Sequence, residues 1–217
     1  MIYPKINTLY TRDKKTFKVT DEIRCPEFSN IKKYLVTEKI NGRNHRILLY
    51  GNRPRKIDFL GRTDRAEMPP LLMEKSKEIF DRDKLDSIFD DDCDVTMYAE
   101  AYGDKVQKGG GNYRKDISFR LFDVLVDNWW LEWDDVVDIA NKIGIKTVPS
   151  FGVMSMDQAT GLVEPMKVLD PVYSDVAKEE NNKDDFPIEG IVARAYPMMM
   201  FRNNNTPIRW KLKRKDY

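Results

Sequence analysis

Apolar residues along this chain fall mostly into short runs of β-forming types set between polar turns. Tyr34-Leu35-Val36-Thr37, Ile47-Leu48-Leu49-Tyr50 and Ile57-Asp58-Phe59-Leu60 read as three strands. Val95 to Gly103 and Ile117 to Val126 read as two longer ones, and Ile188 to Arg194 and Ile208 to Lys213 as the last two. Helical spacing is rarer. Pro69-Pro70 opens a helix that runs to about Phe80, since proline suits a first turn and Leu71, Leu72, Lys75 and Ile79 follow at helical intervals. A second helix runs from about Leu131 to Ile143, with Trp133, Val136, Val137 and Ala140 on one face and Gly144 as its stop. A third starts at Ser155, where Gln158 completes a capping box. Residues 1–30 read as an irregular lead-in, a short strand or coil, Asp81 to Asp94 as a solvated acidic connection with one short helical piece, and Asn181 to Asp185 as a loop.

Composition narrows the class. With 217 residues, 41% of them hydrophobic, the chain is long enough for a real core. No apolar run approaches the ~18 residues of a membrane span, and Met1-Ile2-Tyr3-Pro4 lacks a signal-peptide pattern. Cys25 and Cys93 stand far apart without metal-ligand spacing, which points to a reducing, cytoplasmic setting. The single histidine, His45, rules out a His-rich metal site and leaves one candidate for histidine-based activation of a nucleophile. The net charge of +1 hides an asymmetry: residues 1–65 carry +9, residues 66–193 carry −14, and residues 194–217 carry +6. Two basic ends folded onto an acidic middle would form a positive face for nucleic acid or nucleotide phosphates; mixed on a solvated surface, the same charges would form none.

The candidate chemistry centres on Glu38-Lys39-Ile40-Asn41-Gly42-Arg43-Asn44, a polar segment between two strand-like runs. Asn41-Gly42 is a tight-turn dipeptide, so Lys39 sits at a strand end where turn N–H groups can also face a ligand. A lysine there is placed to meet a phosphate or, if it loses its proton, to attack one. A free lysine with pKa about 10.4 is neutral in roughly one molecule in 2,500 at pH 7, so a nucleophilic role calls for positive neighbours or burial. Lys-x-x-Gly alone is expected about once by chance in a chain of this length. Further residues agree with it. Glu100 stands near the end of one strand and Glu189 near the start of another, and Phe119 precedes Asp123. Lys211 and Lys213 share a strand face by alternation, which allows both to approach one phosphate. Lys105 to Lys115 is a basic loop with three glycines, suited either to flexible connection or to phosphate contact.

In this combination and order the chain resembles the covalent nucleotidyltransferases, the superfamily of ATP-dependent ligases and mRNA capping enzymes. Glu38 to Gly42 looks like the motif whose lysine carries the nucleotide, and Arg62 in Gly-Arg-Thr like the arginine near the ribose. Glu100 in Tyr-Ala-Glu-Ala-Tyr-Gly, Phe119 to Asp123, Glu189 to Val192 and Lys211-Leu212-Lys213 look like the remaining motifs. Asn44 and Val106-Gln107-Lys108-Gly109 resemble the RNA ligases of the phage RNA-repair type.

The resemblance implies an α+β fold of twisted, mostly antiparallel sheets flanked by helices, forming a single nucleotidyltransferase domain over residues 1–217 without the C-terminal domain of larger ligases. It implies ATP and magnesium as cofactors and RNA ends, 5′-phosphate and 3′-hydroxyl, as partners, with a possible separate protein in place of that domain. Lys39 would carry AMP, with Lys211 and Lys213 at its α-phosphate. Glu38, Ile40, Asn44 and Arg62 would contact the nucleotide, Glu100 its ribose hydroxyls and Phe119 its base, and Glu189 would hold the metal. A DNA ligase, a capping guanylyltransferase, a non-catalytic nucleic-acid binder and a protein-modifying adenylyltransferase are the competing readings.

Overall fold

The computed structural model describes residues 1–51, 54–89, 92–164 and 171–217. Asn52 and Arg53, which fall in the segment Gly51 to Lys56 that reads from the sequence as a basic turn, and Asp90 and Asp91 of the acidic stretch, lie outside them. Strands β1 (Asn7–Thr8), β2 (Tyr10–Arg12) and β3 (Val19–Ile23) come first, then helix α1 (Pro26–Ser29) and β4 (Tyr34–Lys39). Next are β5 (Arg43–Leu49), β6 (Ile57–Leu60), α2 (Pro70–Ile79), α3 (Arg82–Asp86), β7 (Val95–Tyr102), β8 (Ser118–Val126) and β9 (Trp129–Trp130). After them come α4 (Trp133–Ile143), β10 (Lys146–Thr147), β11 (Ser150–Met154), α5 (Met156–Thr160), α6 (Asp175–Asn181), β12 (Gly190–Ala195) and β13 (Arg209–Lys213). The fold is α+β with mainly antiparallel sheets, and its elements divide between two compact units. One comprises residues 1–3 and 41–148, the other residues 4–40 and 149–217.

In the first unit the sheet runs β10-β8-β7-β5-β6, with β9 added beside β8. Its register decides which side chains share a face. Asn44, Glu100 and Arg120 lie opposite one another on β5, β7 and β8, and so do His45, Ala99 and Leu121 one residue on. Alternation sends the second set, with Ile47, Met97, Ala101 and Phe119, into an apolar cluster shared with Leu72 and Phe80, Leu85 of α3, and Val136, Ile139, Ala140 and Ile143 of α4. The 3.6-residue spacing on α4 matches that buried stripe, and Gly144, at φ 82°, ends the helix in the left-handed conformation that glycine tolerates. Leu85 and Phe89 join the same core, so the acidic connection is anchored rather than wholly solvated.

The second unit holds a sheet in the order β1-β13-β12-β4-β11 and a separate two-stranded β2-β3 hairpin. Tyr34, Val36, Ile191, Ala193, Trp210 and Leu212 point to one face and form its core with Leu9, Phe28, Ala159 and Val163. The expected capping box is present, with Gln158 N–H donating to Ser155 Oγ and the Ser155 N–H to Gln158 Oε1.

Residues 1–30, expected as a short strand or coil, hold three short strands and a helical turn, so that expectation is corrected in extent. Their stability comes from distant partners: β1 pairs in parallel with β13, some two hundred residues away in the chain, a contact that no local pattern encodes. The same holds for β11, which pairs with β4. Helix α6 was not anticipated either, although Ser174, whose Oγ accepts from Ala177 N–H, is an ordinary N-cap. Among the described residues no helix is long and apolar enough to cross a membrane.

Candidate active site

The lysine segment is built by the three central strands of the second unit. Lys39 on β4, Gly190 on β12 and Lys213 on β13 form one rung of the ladder, and Thr37, Val192 and Lys211 form the rung two residues away. Both rungs therefore face the same side, opposite the apolar core. Leu35, Arg194 and Arg209 continue that face by the same alternation. It carries Lys39, Lys211, Lys213 and two buried arginines, Arg194 and Arg209.

Glu189, one residue before β12, joins the two end lysines. Its Oε2 accepts from Lys39 Nζ at 2.7 Å and its Oε1 from Lys213 Nζ at 2.5 Å. The three side chains are 21%, 17% and 20% exposed for Lys39, Glu189 and Lys213, partly desolvated yet still reachable. Burial alone would push the Glu189 carboxyl up, but the Lys39 charge and the hydrogen bonds from Lys213 and Lys39 outweigh it and hold the group below its usual 4.5. Gly190 makes the arrangement possible. A Cβ there would stand 2.1 Å from the Leu212 carbonyl oxygen and 2.7 Å from Lys213 Cα, so a side chain between the two lysines would force the strands apart. Lys39 Nζ also donates to the Ile40 carbonyl at 3.3 Å.

The neighbours of Lys39 in sequence are placed elsewhere. Glu38 lies on the core face, 1% exposed, and its Oε1 accepts from the hydroxyl of Ser174 at 2.5 Å. Its carboxylate thus ties β4 to the start of α6, on the face opposite Lys39. The Ile40 side chain is buried as well, at 2% exposure.

In the first unit, the glycine of Lys-x-x-Gly has a physical reason. A Cβ on Gly42 would meet the Ala101 carbonyl oxygen at 2.3 Å and Glu100 Cγ at 2.8 Å, so only glycine lets this turn lie against the strand that carries Glu100. Asn41 fixes the basic loop: it accepts from Gln107 Nε2 at 2.6 Å, donates to the Lys108 carbonyl at 3.3 Å, and takes the Tyr113 hydroxyl on its N–H at 3.2 Å. The loop is docked and contains a 3-10 turn at Gly110–Asn112, so the flexible-connection alternative gives way. Arg62 is exposed on the turn after β6, and the buried Arg46 holds that turn through the Gly61 carbonyl and Asp64, each at 2.7 Å.

Phe119 requires a correction. Strand alternation puts it on the face opposite Glu100, where it is 1% exposed and packs on His45 and Phe80 at 5.0 and 5.3 Å between ring centres. A ring enclosed in this way offers no face to a base. His45 lies in the same core, where burial and then the nearby Arg46 charge lower its pKa to about 3. It is neutral at working pH, and its Nε2 lies 3.0 Å from the hydroxyl of Ser76.

Sequence reasoning located Lys39, Glu189, Lys211 and Lys213, which the sheet gathers on one face and at its edge. It passed over Arg209 and Arg194, although the alternation Arg209-Trp210-Lys211-Leu212-Lys213 signals the first and the Gly190, Val192, Arg194 alternation the second. Arg46 and Arg120 had no signal, since each is placed by pairing across strands.

A family model described as RNA ligase matches residues 32–213. Among solved structures, a Naegleria gruberi RNA ligase variant with ATP and manganese superposes with TM-score 0.63 at 18% identity, covering 99% of this chain and 63% of that one. An archaeal ATP-dependent RNA ligase gives TM-score 0.59 at 18% identity, over 99% of this chain and 48% of that one. The Naegleria gruberi RNA ligase with pyrophosphate gives TM-score 0.63 at 16% identity, with coverages of 99% and 62%. At such identities these likenesses establish the fold, and the chain spans less than two thirds of the length of these proteins. The comparison with curated proteins gives no match.

Two outcomes follow from the cluster geometry. Gly190→Ala should destabilise the protein by about 1–3 kcal/mol in denaturant unfolding, the range for forcing a methyl into packed backbone; an unchanged midpoint would refute the close-approach argument. The second concerns pH. Because the folded pKa of Glu189 lies below 4.5, its ion pairs contribute stability above that pH and lose it as pH falls through the folded value. The stability advantage of the wild type over Glu189→Gln should therefore be largest near neutrality and shrink below 4.5, in melts recorded across that range. An advantage independent of pH would show that the carboxylate charge is immaterial.

Proposed function

This chain belongs to the RNA ligase family, and on that premise we propose that it is an ATP-dependent RNA ligase in which Lys39 carries AMP. The observation that carries this reading is the Lys39–Gly190–Lys213 rung with Glu189 bridging both ammonium groups. Residues 1–217 are proposed to act as one nucleotidyltransferase domain, since the family match runs through both units.

In the first step the Lys39 amine, its proton released to solvent, attacks the α-phosphorus of ATP. A P–N bond forms and the P–O bond to pyrophosphate breaks. Lys213 and Lys211 meet the phosphate charge, and Glu189 keeps two like charges in place until a phosphate takes over as their counter-charge. In the second step an oxygen of an RNA 5′-phosphate attacks the same phosphorus, the P–N bond breaks, and Lys39 is restored. In the third a 3′-hydroxyl attacks the 5′-phosphorus and AMP leaves. Glu189 fits a magnesium ion as one protein carboxylate among phosphate and water oxygens, the pattern this cation favours. Among the described residues no group of three or more His, Cys, Asp or Glu could hold a metal without such help. Magnesium bound there would offset charge on the phosphates. By resemblance, Glu100 and Arg62 are proposed to contact the ribose and Asn44 the nucleotide; Asn44 Oδ1 is a buried acceptor for which the described residues supply no donor.

Intact-mass analysis with ATP and magnesium should show one added adenylyl group in the wild type, none in Lys39→Ala, and formation slowed on the order of 100-fold in Lys213→Ala, as when a preorganised charge is removed from a phosphoryl site. Lys211→Ala should slow it too, while Lys178→Ala should not. An undiminished gain in Lys39→Ala refutes the assignment, and a gain with GTP in place of ATP would favour the capping reading.

The RNA assignment has its own measurement. On nicks with pre-adenylylated 5′ ends at fixed salt, the enzyme should seal when the two residues at the 3′-hydroxyl side are ribose and perform poorly when they are deoxyribose, because a 2′-hydroxyl both donates and accepts and favours A-form geometry. Equal rates would put the DNA-ligase reading ahead.

A further inference from the structure

The β2-β3 hairpin carries a feature that folding does not explain. Its loop, residues 13–18, is closely ordered: Asp13 Oδ1 accepts from the N–H of Lys15 at 3.0 Å, the N–H of Thr16 at 2.7 Å and the Thr16 hydroxyl at 2.9 Å, and Asp13 N–H donates to the Lys18 carbonyl at 2.9 Å. At the tip stands Phe17, 70% exposed and with φ at +59°. An aromatic side chain in the left-handed region strains the backbone, and an exposed ring returns no burial, so glycine would serve the loop better. The ring has a use outside the fold.

Charge identifies the user. Lys14 and Lys15 precede Phe17 in the same loop and Lys18 follows it, and all three are exposed. Arg12 donates to the Phe17 carbonyl at 2.7 Å and pairs with the buried Asp216 at 2.7 Å, while Lys18 donates to the Lys215 carbonyl at 3.3 Å. These bonds fasten the hairpin to the turn Arg214–Asp216, whose Arg214 and Lys215 are also exposed, and Asp216 in turn accepts from the Lys213 N–H at 3.0 Å. The acidic Asp21 and Glu22 lie on β3, and the strand reaches its root where Ile23 pairs with Tyr10. An exposed ring framed by cations, on a support bonded to the backbone of Lys213, suits a polynucleotide: every base has a face to stack, and every linkage a phosphate to neutralise.

We propose that this hairpin is an RNA contact, in which Phe17 stacks on a base of a single-stranded segment and Lys14, Lys15, Arg214 and Lys215 meet its phosphates. The proposal rests on the RNA ligase reading, but it can fail separately, because lysyl-AMP formation needs only ATP.

The experiment compares wild type, Phe17→Gly, Phe17→Trp and the double variant Lys14→Ala/Lys15→Ala in three assays: thermal unfolding, lysyl-AMP formation without RNA, and binding of a fluorescent single-stranded RNA over a salt series. Phe17→Gly should melt no lower than wild type, since glycine relieves the strained φ, and should form lysyl-AMP at the same rate. Its RNA affinity should fall about tenfold, as expected for one lost stacking contact. Phe17→Trp should keep wild-type affinity. The lysine double variant should lower the slope of log affinity against log salt by about 1.4, the value for two phosphate contacts on a single strand. RNA affinity unchanged in Phe17→Gly would overturn the proposal and turn the hairpin toward a protein partner. Loss of lysyl-AMP formation in that variant would overturn it in favour of a structural role. A wild type that forms lysyl-AMP yet binds no RNA would also overturn it, leaving the first step of the reaction standing.

Discussion

Two ammonium groups placed close together in a partly desolvated site repel each other, and the carboxylate of Glu189 is what allows Lys39 and Lys213 to share a ladder rung. Much of the second unit serves that contact. β4 and β13 must both pair with β12 in the observed register, Gly190 must lack a side chain where they approach, and the bridging acid must stand one residue before the strand begins. A one-residue slip would turn Lys39 on β4, Arg194 on β12, or Lys211 and Lys213 on β13 into the core, and core residues such as Val36, Ile191 or Leu212 onto the cationic face. The apolar set Ile191, Ala193, Trp210 and Leu212 resists such a slip, so the core protects the geometry of the cluster.

Both units use strands in the same two-sided way. In the second, Glu38 and Lys39 are adjacent in sequence yet go to opposite faces, one bonded to Ser174 and the other to Glu189. In the first, Glu100 and Ala101 divide likewise: the acid joins Asn44 and Arg120, and the alanine joins the cluster that takes in Phe119 and His45. Polar chemistry and packing are kept apart by the pleat alone, which lets a short strand serve both. It also explains why His45, the one histidine and so the first candidate for acid–base work, is enclosed instead among Phe59, Phe80 and Phe119, with its Nε2 3.0 Å from Ser76 Oγ.

The charge asymmetry along the chain has a local counterpart. Cations from the basic N-terminal stretch, Arg12 and Lys18, are bonded to the turn that ends the basic C-terminal stretch, within one unit. Asp216, the one acid among residues 194–217, is buried there and joins Arg12 to the Lys213 backbone. Two basic segments far apart in sequence thus meet around a single carboxylate, much as the two lysines meet around Glu189.

The sequence by itself was enough for the period-2 runs that become β4 to β8, β12 and β13, the helices α2 and α4 with their proline and glycine boundaries, the Ser155 capping box, and the ordered motifs that led to the RNA ligase family. These are local signals, written in side-chain alternation, helical spacing and turn chemistry. Tertiary structure alone decided the rest. It paired β1 with β13 and β11 with β4, turned Phe119 into the core on the face away from Glu100, gave Gly42 and Gly190 their necessity, and brought Arg194 and Arg209 beside the lysines. The physical reason is that a strand's sequence specifies that its neighbours alternate, whereas which face is buried, and which residue stands opposite, depends on strands contributed from elsewhere in the chain.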